Sequence, residues 1–295
     1  MKDKKYILTD ETLVFGGHVL HRIKAVKNFS NVHEGELGGW IESEDNLSQD
    51  GDCWVYGYAK VYCKAKVYGD ARILNLAVVC SNAVVCDNAR VFDNARVTDD
   101  AIIYDNAMVY GTARVRSKAR VFDNASVFDN AEIYGDARIY GNAMVCNNAK
   151  VSMDAEVNSY TNVFGNARVS DNACIEGHAC IFGDAEVCGK ARVRCYAKVY
   201  GNARVYGDAV VDGYARICGD AEVKTNEDYA VYNNNWDGDQ HFTWTRSNDK
   251  WADYCFYGTG EELIAKAYKD SEKSGKCYEA IVNVNKLISN IYYGR

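Results

Sequence analysis

Residues 88–117 read NARVFD, NARVTD, DAIIYD, NAMVYG, TARVRS, five consecutive six-residue units with no insertion between them. The same unit recurs 29 times from Asp52 to Thr225. Its fourth position is Val or Ile in every copy, and its second is Ala in all but two, where Cys53 and Thr161 stand. A strand alternates its side chains between two faces, so Ala at position two and Val at position four point the same way. Positions three and five point the other way. Asn, Asp and Gly dominate positions six and one, and these residues tolerate the left-handed backbone of a sharp corner. The unit is therefore a short strand and a corner, and three units close a triangular coil of 18 residues. Twenty-nine units make nearly ten coils, about 46 Å of stacked chain at the usual strand spacing.

The repeat resembles the hexapeptide-repeat proteins of the trimeric LpxA-like superfamily, which place an aliphatic residue four positions before a small one. Val91 with Ala95 and Val97 with Ala101 show this spacing. The resemblance implies a left-handed parallel β-helix, handedness included. A second resemblance lies at the amino end. Gly38-Gly39-Trp40-Ile41, Leu47-Ser48-Gln49 and Gly51-Asp52-Cys53-Trp54 are similar to the start of the YdcK-like transferase family.

These readings give an all-β chain in three parts. Residues 1–51 form a β cap with a hairpin turning at Gly16-Gly17, and 52–225 form the β-helix. Residues 226–295 form an α+β cap, because open coil ends would otherwise pair with other chains. In that tail a hairpin is expected over Phe242–Arg246 and Trp251–Phe256. Thr259 and Glu262 form a capping box, and the helix they open is expected to end at Gly275 before a second one carrying Tyr278, Ile281, Val282, Leu287, Ile288 and Ile291. The tail resembles modules of phage- and prophage-encoded hexapeptide-repeat proteins, which implies a counter-defence role in a host cytoplasm.

Composition narrows function. The formal charge is −7 from 34 basic and 41 acidic residues, and the repeats are close to neutral, which disfavours nucleic acid as a partner. The amino terminus lacks an apolar stretch long enough for a membrane span or signal peptide, so a cytoplasmic location is expected. The twelve cysteines include no C-x-x-C pair and mostly occupy repeat positions otherwise filled by apolar residues, so they read as small hydrophobes, with no metal and no cofactor expected.

Acyl transfer is the activity the superfamily resemblance implies, with a histidine as base. The five histidines are His18, His21, His33, His178 and His241, and of these only His178 lies within the repeats, at a corner position. No loop leaves the coils to enclose an acceptor, so no catalytic residue is expected, His178 being the weak candidate. The three histidines of a zinc carbonic anhydrase and the threonine ladders of an ice-binding helix are missing from the repeats.

Side chains 18 residues apart stack on one face. One position-five column reads Tyr56, Leu74, Phe92, Tyr110, Phe128, Cys146, Phe164, Phe182, Tyr200, Cys218, apolar throughout, and Met108, Met144 and Cys180 stand at position three beside it. The other two columns lapse into charged and polar residues. Three readings of this face stay open: aromatic stacking that stiffens the sheet, coverage by the carboxyl-terminal helices, and burial against another chain. The expected interface is Phe92, Met108, Tyr110, Phe128, Met144, Cys146, Phe164, Phe182 and Tyr200. The function expected is a non-enzymatic binding scaffold, either a homo-oligomer or the partner of another protein. A hexapeptide-repeat acyltransferase and a sponge for a small nucleotide signal are the alternatives.

Overall fold

Every sixth residue from Gly51 to Gly219 is a corner, and every one adopts positive φ, as at Asp93 (57°), Asp99 (59°), Asp105 (55°) and Gly111 (69°). Asp, Asn and Gly carry this conformation at low cost, which is why position six is restricted to them with few exceptions. Between corners the chain can extend for only two ladder residues, positions three and four. The computed structural model describes residues 4–234 and 240–293, with 29 such strands, β4 (Trp54–Val55) to β32 (Glu222–Val223), in the repeats.

Each strand pairs in parallel with the one 18 residues on, so Arg90 lies beside Met108 and Val91 beside Val109. Main-chain bonds fix this register: the Arg90 amide donates to the Ala107 carbonyl at 2.9 Å and the Phe92 amide to Val109 at 3.0 Å. At the following corner the Asn94 amide donates to Gly111 at 2.8 Å. Three sheets result, with ten strands on face one, from Trp54–Val55 to Arg216–Ile217, and nine on face three, from Lys66–Val67 to Val210–Val211. Face two, from Lys60–Val61 to Glu222–Val223, continues into the amino cap. The short strand expected of each unit is a two-residue ladder, with the next residue already turning into the corner.

Inside the prism Ala59 to Val223 form one column set of fully buried Ala and Val/Ile side chains. The two departures from Ala are both satisfied. The Thr161 hydroxyl donates to the Asn158 carbonyl at 2.9 Å, and Cys53 meets the buried Lys5 ammonium at 3.2 Å. Lys5 also donates to the carbonyls of Gly51 and Cys53, both at 2.9 Å, and its ammonium lies over the Phe29 ring. A lysine thus seals the first coil by serving carbonyls that have no coil beneath them.

The amino cap is the hairpin of β1 (Tyr6–Phe15) and β2 (His18–Ala25), turning at Gly16-Gly17 as expected. β2 pairs with β3 (Leu37–Ile41), and β3 pairs in parallel with β5 (Lys60–Val61), so coil stacking reaches back to β3. At the other end, β33 (Tyr229–Asn234), β34 (Gln240–Thr245), β35 (Lys250–Ala252) and β36 (Tyr257–Gly258) form an antiparallel sheet. The Thr243 hydroxyl accepts from the Arg216 amide, which docks this sheet on the last face-one coil. Helices α1 (Gly260–Asp270) and α2 (Glu272–Tyr293) pack on it through Leu263, Ala267, Tyr278 and Val282.

The Thr259–Glu262 capping box is present, with reciprocal bonds of 2.7 and 3.2 Å. Gly275 is not a helix stop. The break falls at Ser271, and Gly275 lies in the first turn of α2, where a Cβ would stand 2.3 Å from the Tyr268 ring. Its lack of a side chain serves helix–helix approach, not termination.

A glycine corner shows how tightly the coils stack. Gly135 has φ 75°, and a Cβ there would lie 2.6 Å from the Met153 amide nitrogen on the next coil. Gly135→Val should therefore cost about 2 kcal/mol. A lowered denaturant midpoint would show it, while Lys118→Gln on an exposed corner should leave the midpoint unchanged.

Candidate functional site: the uncharged face and its aromatic ladders

Face one differs from its neighbours in charge. Over its five central coils the outward positions three and five are Met108, Tyr110, Ser126, Phe128, Met144, Cys146, Asn162, Phe164, Cys180 and Phe182, with no charge among them. The position-three column turns basic only toward its ends, at Arg72 and Arg90 and again at Lys198 and Arg216. Ion-pair ladders run on the other faces instead. Glu132 lies 3.9 Å from Arg116 and 3.7 Å from Lys150 on face two, and Arg204 pairs with Glu186 at 3.2 Å. On face three Arg138 pairs with Glu156 at 3.3 Å and Arg194 with Asp212 at 2.8 Å.

The 18-residue register sets like side chains one strand spacing apart, so flat rings stack. Phe92, Tyr110 and Phe128 form one run with centroids 4.7 and 4.9 Å apart, and Phe164, Phe182 and Tyr200 a second at 4.9 and 4.8 Å. Cys146 separates the two runs. Because each ring covers the next, the column is half-buried and presents ring edges, which reduces the apolar area expected from sequence; Met144, 45% exposed, stands out of it. Burial raises the Tyr110 phenol and the Cys146 thiol above their ordinary values, so both stay neutral at neutral pH. The carboxyl-terminal helices sit on the cap sheet at the end of the prism, away from these central coils.

His178 is not a solitary corner residue. Its ring stacks between Tyr160 at 5.1 Å and Tyr196 at 4.9 Å, and Tyr214 and His241 extend the ladder at 5.2 and 4.2 Å. Sequence reading missed this because it compared His178 with all corners together. Its own column runs Asn88, Asn106, Asn124, Asn142 and then Tyr160, His178, Tyr196, Tyr214. The asparagines bond side chain to side chain at 3.2 Å, 3.2 Å and 3.4 Å, and the aromatics take over the same edge. The ring faces of His178 are occupied by tyrosines. His241 belongs to the cap sheet, and His21 Nδ1 donates to the Thr9 carbonyl within the amino cap.

Comparison with known proteins places the repeat. The YdcK β-solenoid repeat matches residues 131–147, 137–152 and 197–213. The "Uncharacterized acetyltransferase YdcK" of Escherichia coli is 36% identical over 61 residues, a match spanning 18% of this chain and 19% of that protein. A solved structure of LpxA from Acinetobacter baumannii overlays 57% of this chain and 71% of its own at 12% identity, with a TM-score of 0.30.

Joining the two aromatic runs should stabilise the prism. Cys146→Phe adds two ring pairs, worth about 1 kcal/mol together, and should raise the thermal midpoint. No change would mean that the rings stack without contributing stability. With 18-residue coils throughout, the chain is a β-solenoid of six-residue units that matches the YdcK β-solenoid repeat within residues 131–152 and 197–213.

Proposed function

We propose that this protein is a binding scaffold whose face one receives another protein. The observation that carries it is the ten-residue uncharged field from Met108 to Phe182, set between two faces laced with ion pairs. Charged residues keep a solvated sheet soluble and blunt association, and their restriction to two faces leaves the third free for contact. The partner that fits is apolar along its centre and acidic at both ends, opposite Arg72 and Arg90 and opposite Lys198 and Arg216. A second copy fits less well, because face one laid on face one in full register sets cation against cation at both ends of the column. Half-buried rings offer less than free ones. Six such side chains at about 0.8 kcal/mol each still give about 5 kcal/mol gross, before association entropy.

Acyl transfer has one specific observation in its favour, the acetyltransferase in the name of the Escherichia coli relative. Face one carries no group suited to it, since His178 is stacked between tyrosines at the border of the face.

Phe128→Glu with Phe164→Glu should abolish partner binding and leave the prism folded, because both side chains point away from the Val/Ala core. Lys150→Glu with Arg168→Glu on face two should leave binding intact, and so should His178→Ala. Sedimentation of each variant, alone and with the captured partner, checks this. Unchanged partners for the face-one variant overturn the reading, and a wild-type oligomer that dissociates in that variant replaces the partner protein with a second copy.

A further inference from the structure

A thiol, an imidazole and a carboxylate converge under the amino-terminal hairpin, from three separate segments. The Gly16-Gly17 turn sets His18 opposite Phe15, and the His18 ring lies 4.9 Å from the Tyr62 ring. Glu42 follows β3 and Cys63 follows β5, and the pairing of Ile41 with Val61 brings those two segments side by side. Glu42 Oε1 is 2.9 Å from His18 Nδ1, and Cys63 Sγ is 3.7 Å from His18 Nε2. The second carboxylate oxygen accepts the Cys63 amide at 2.6 Å, so Glu42 holds both partners at once. The bond from His18 keeps the Glu42 carboxyl below its ordinary range, so it is ionised at neutral pH.

The assignment of nitrogens decides what this group can do. A metal ion bound by three side chains needs their donor atoms aimed at one point, and these three do lie within 4.8 Å of one another. Here, however, the carboxylate and the thiol occupy opposite nitrogens of one ring, so no single ion takes all three while the His18–Glu42 bond persists. The order carboxylate, imidazole, thiol is instead that of a nucleophile with its base and orienting acid. A proton on Nδ1 is drawn to Glu42, which leaves the Nε2 lone pair facing the sulfur. The thiol opens on a groove of about 760 Å³ between Ser43–Gln49 and Lys64–Tyr68.

We propose that Cys63 is a nucleophilic thiol, with His18 as its base and Glu42 as a positioning residue, and that it accepts the acyl group of a thioester. His18 Nε2 takes the Sγ proton, and the sulfur forms a bond to the acyl carbon. The carbon–sulfur bond of the donor breaks, and the departing thiolate takes the proton back from His18. One thioester replaces another, with no oxidant and no net charge change. The choice of donor follows from the backbone. The Cys63 and Lys64 amides are committed to Glu42 and to the Ser81 carbonyl, so neither is free to cradle the oxyanion that amide cleavage requires. Thioester exchange has a good leaving group and relies far less on such a cradle. This inference rests on the amino cap alone and stands whether or not face one binds a partner.

The chain holds its own control. Cys195 occupies the same corner position as Cys63, with φ 59° against 56°, and is exposed, but lacks the acid–imidazole pair. Limiting N-ethylmaleimide at neutral pH, followed by peptide mapping of the intact chain, should label Cys63 about tenfold faster than Cys195. S-acetyl-N-acetylcysteamine, a small thioester, should place its acetyl group on Cys63, and Cys63→Ser should remove that adduct. His18→Gln should slow both reactions about tenfold, and Glu42→Asp should recover part of what Glu42→Gln loses, which a merely structural carboxylate would not produce. Wild-type protein in which Cys63 reacts no faster than Cys195, or in which zinc binds one-to-one and is lost with His18→Gln, overturns the proposal.

Discussion

A left-handed corner every six residues is the constraint on which everything else depends. Two ladder residues fit between successive corners, so no strand of the prism can lengthen, and stability must come from stacking coil on coil. The corner also fixes which residues repeat. Position six needs positive φ, and positions two and four must fill a narrow triangular interior, so Ala alternates with Val or Ile without relief. Outward positions alone are free to vary, and variation there carries the difference between one face and another.

That division explains what was legible. The coil, its 18-residue period and the inward Ala/Val columns follow from periodicity, because the six-residue unit recurs 29 times. The aromatic column from Phe92 to Tyr200 was legible for the same reason. Its half-buried state was not, since rings one strand spacing apart cover each other only when their side-chain rotamers agree. Gly275 misled for a local reason: a glycine after a helical pattern reads as a stop, yet here it admits the Tyr268 ring. The strand Tyr229–Asn234 escaped notice although Asp237-Gly238, a common hairpin dipeptide, stands between it and Gln240–Thr245.

The His18 group was illegible on other grounds. Its three members are separated by 24 and 21 residues and belong to a hairpin tip, a strand end and a corner, so no spacing rule joins them. Counting histidines within the repeats pointed to His178, whose neighbours are tyrosines. The two cases differ in what the fold supplies: a column in a regular solenoid repeats its neighbours, whereas the junction between cap and coil brings unlike segments together once.

That contrast bears on where chemistry can sit in such a molecule. Along the prism an outward residue meets others 18 residues above and below, so a ring commonly stacks on a ring, an amide bonds an amide and a carboxylate pairs with a cation. A thiol, an imidazole and a carboxylate at fixed distances need three segments that meet from different directions, whereas translation along a coil axis brings residues together only in columns. The end of the prism breaks the translation. There the hairpin crosses over β3 and β5, and a corner cysteine meets an imidazole that no later coil could offer. The corner itself contributes only the left-handed backbone, which Met153 and Cys195 share with Cys63. It is the cap, added to close an open edge, that turns one corner among many into a site.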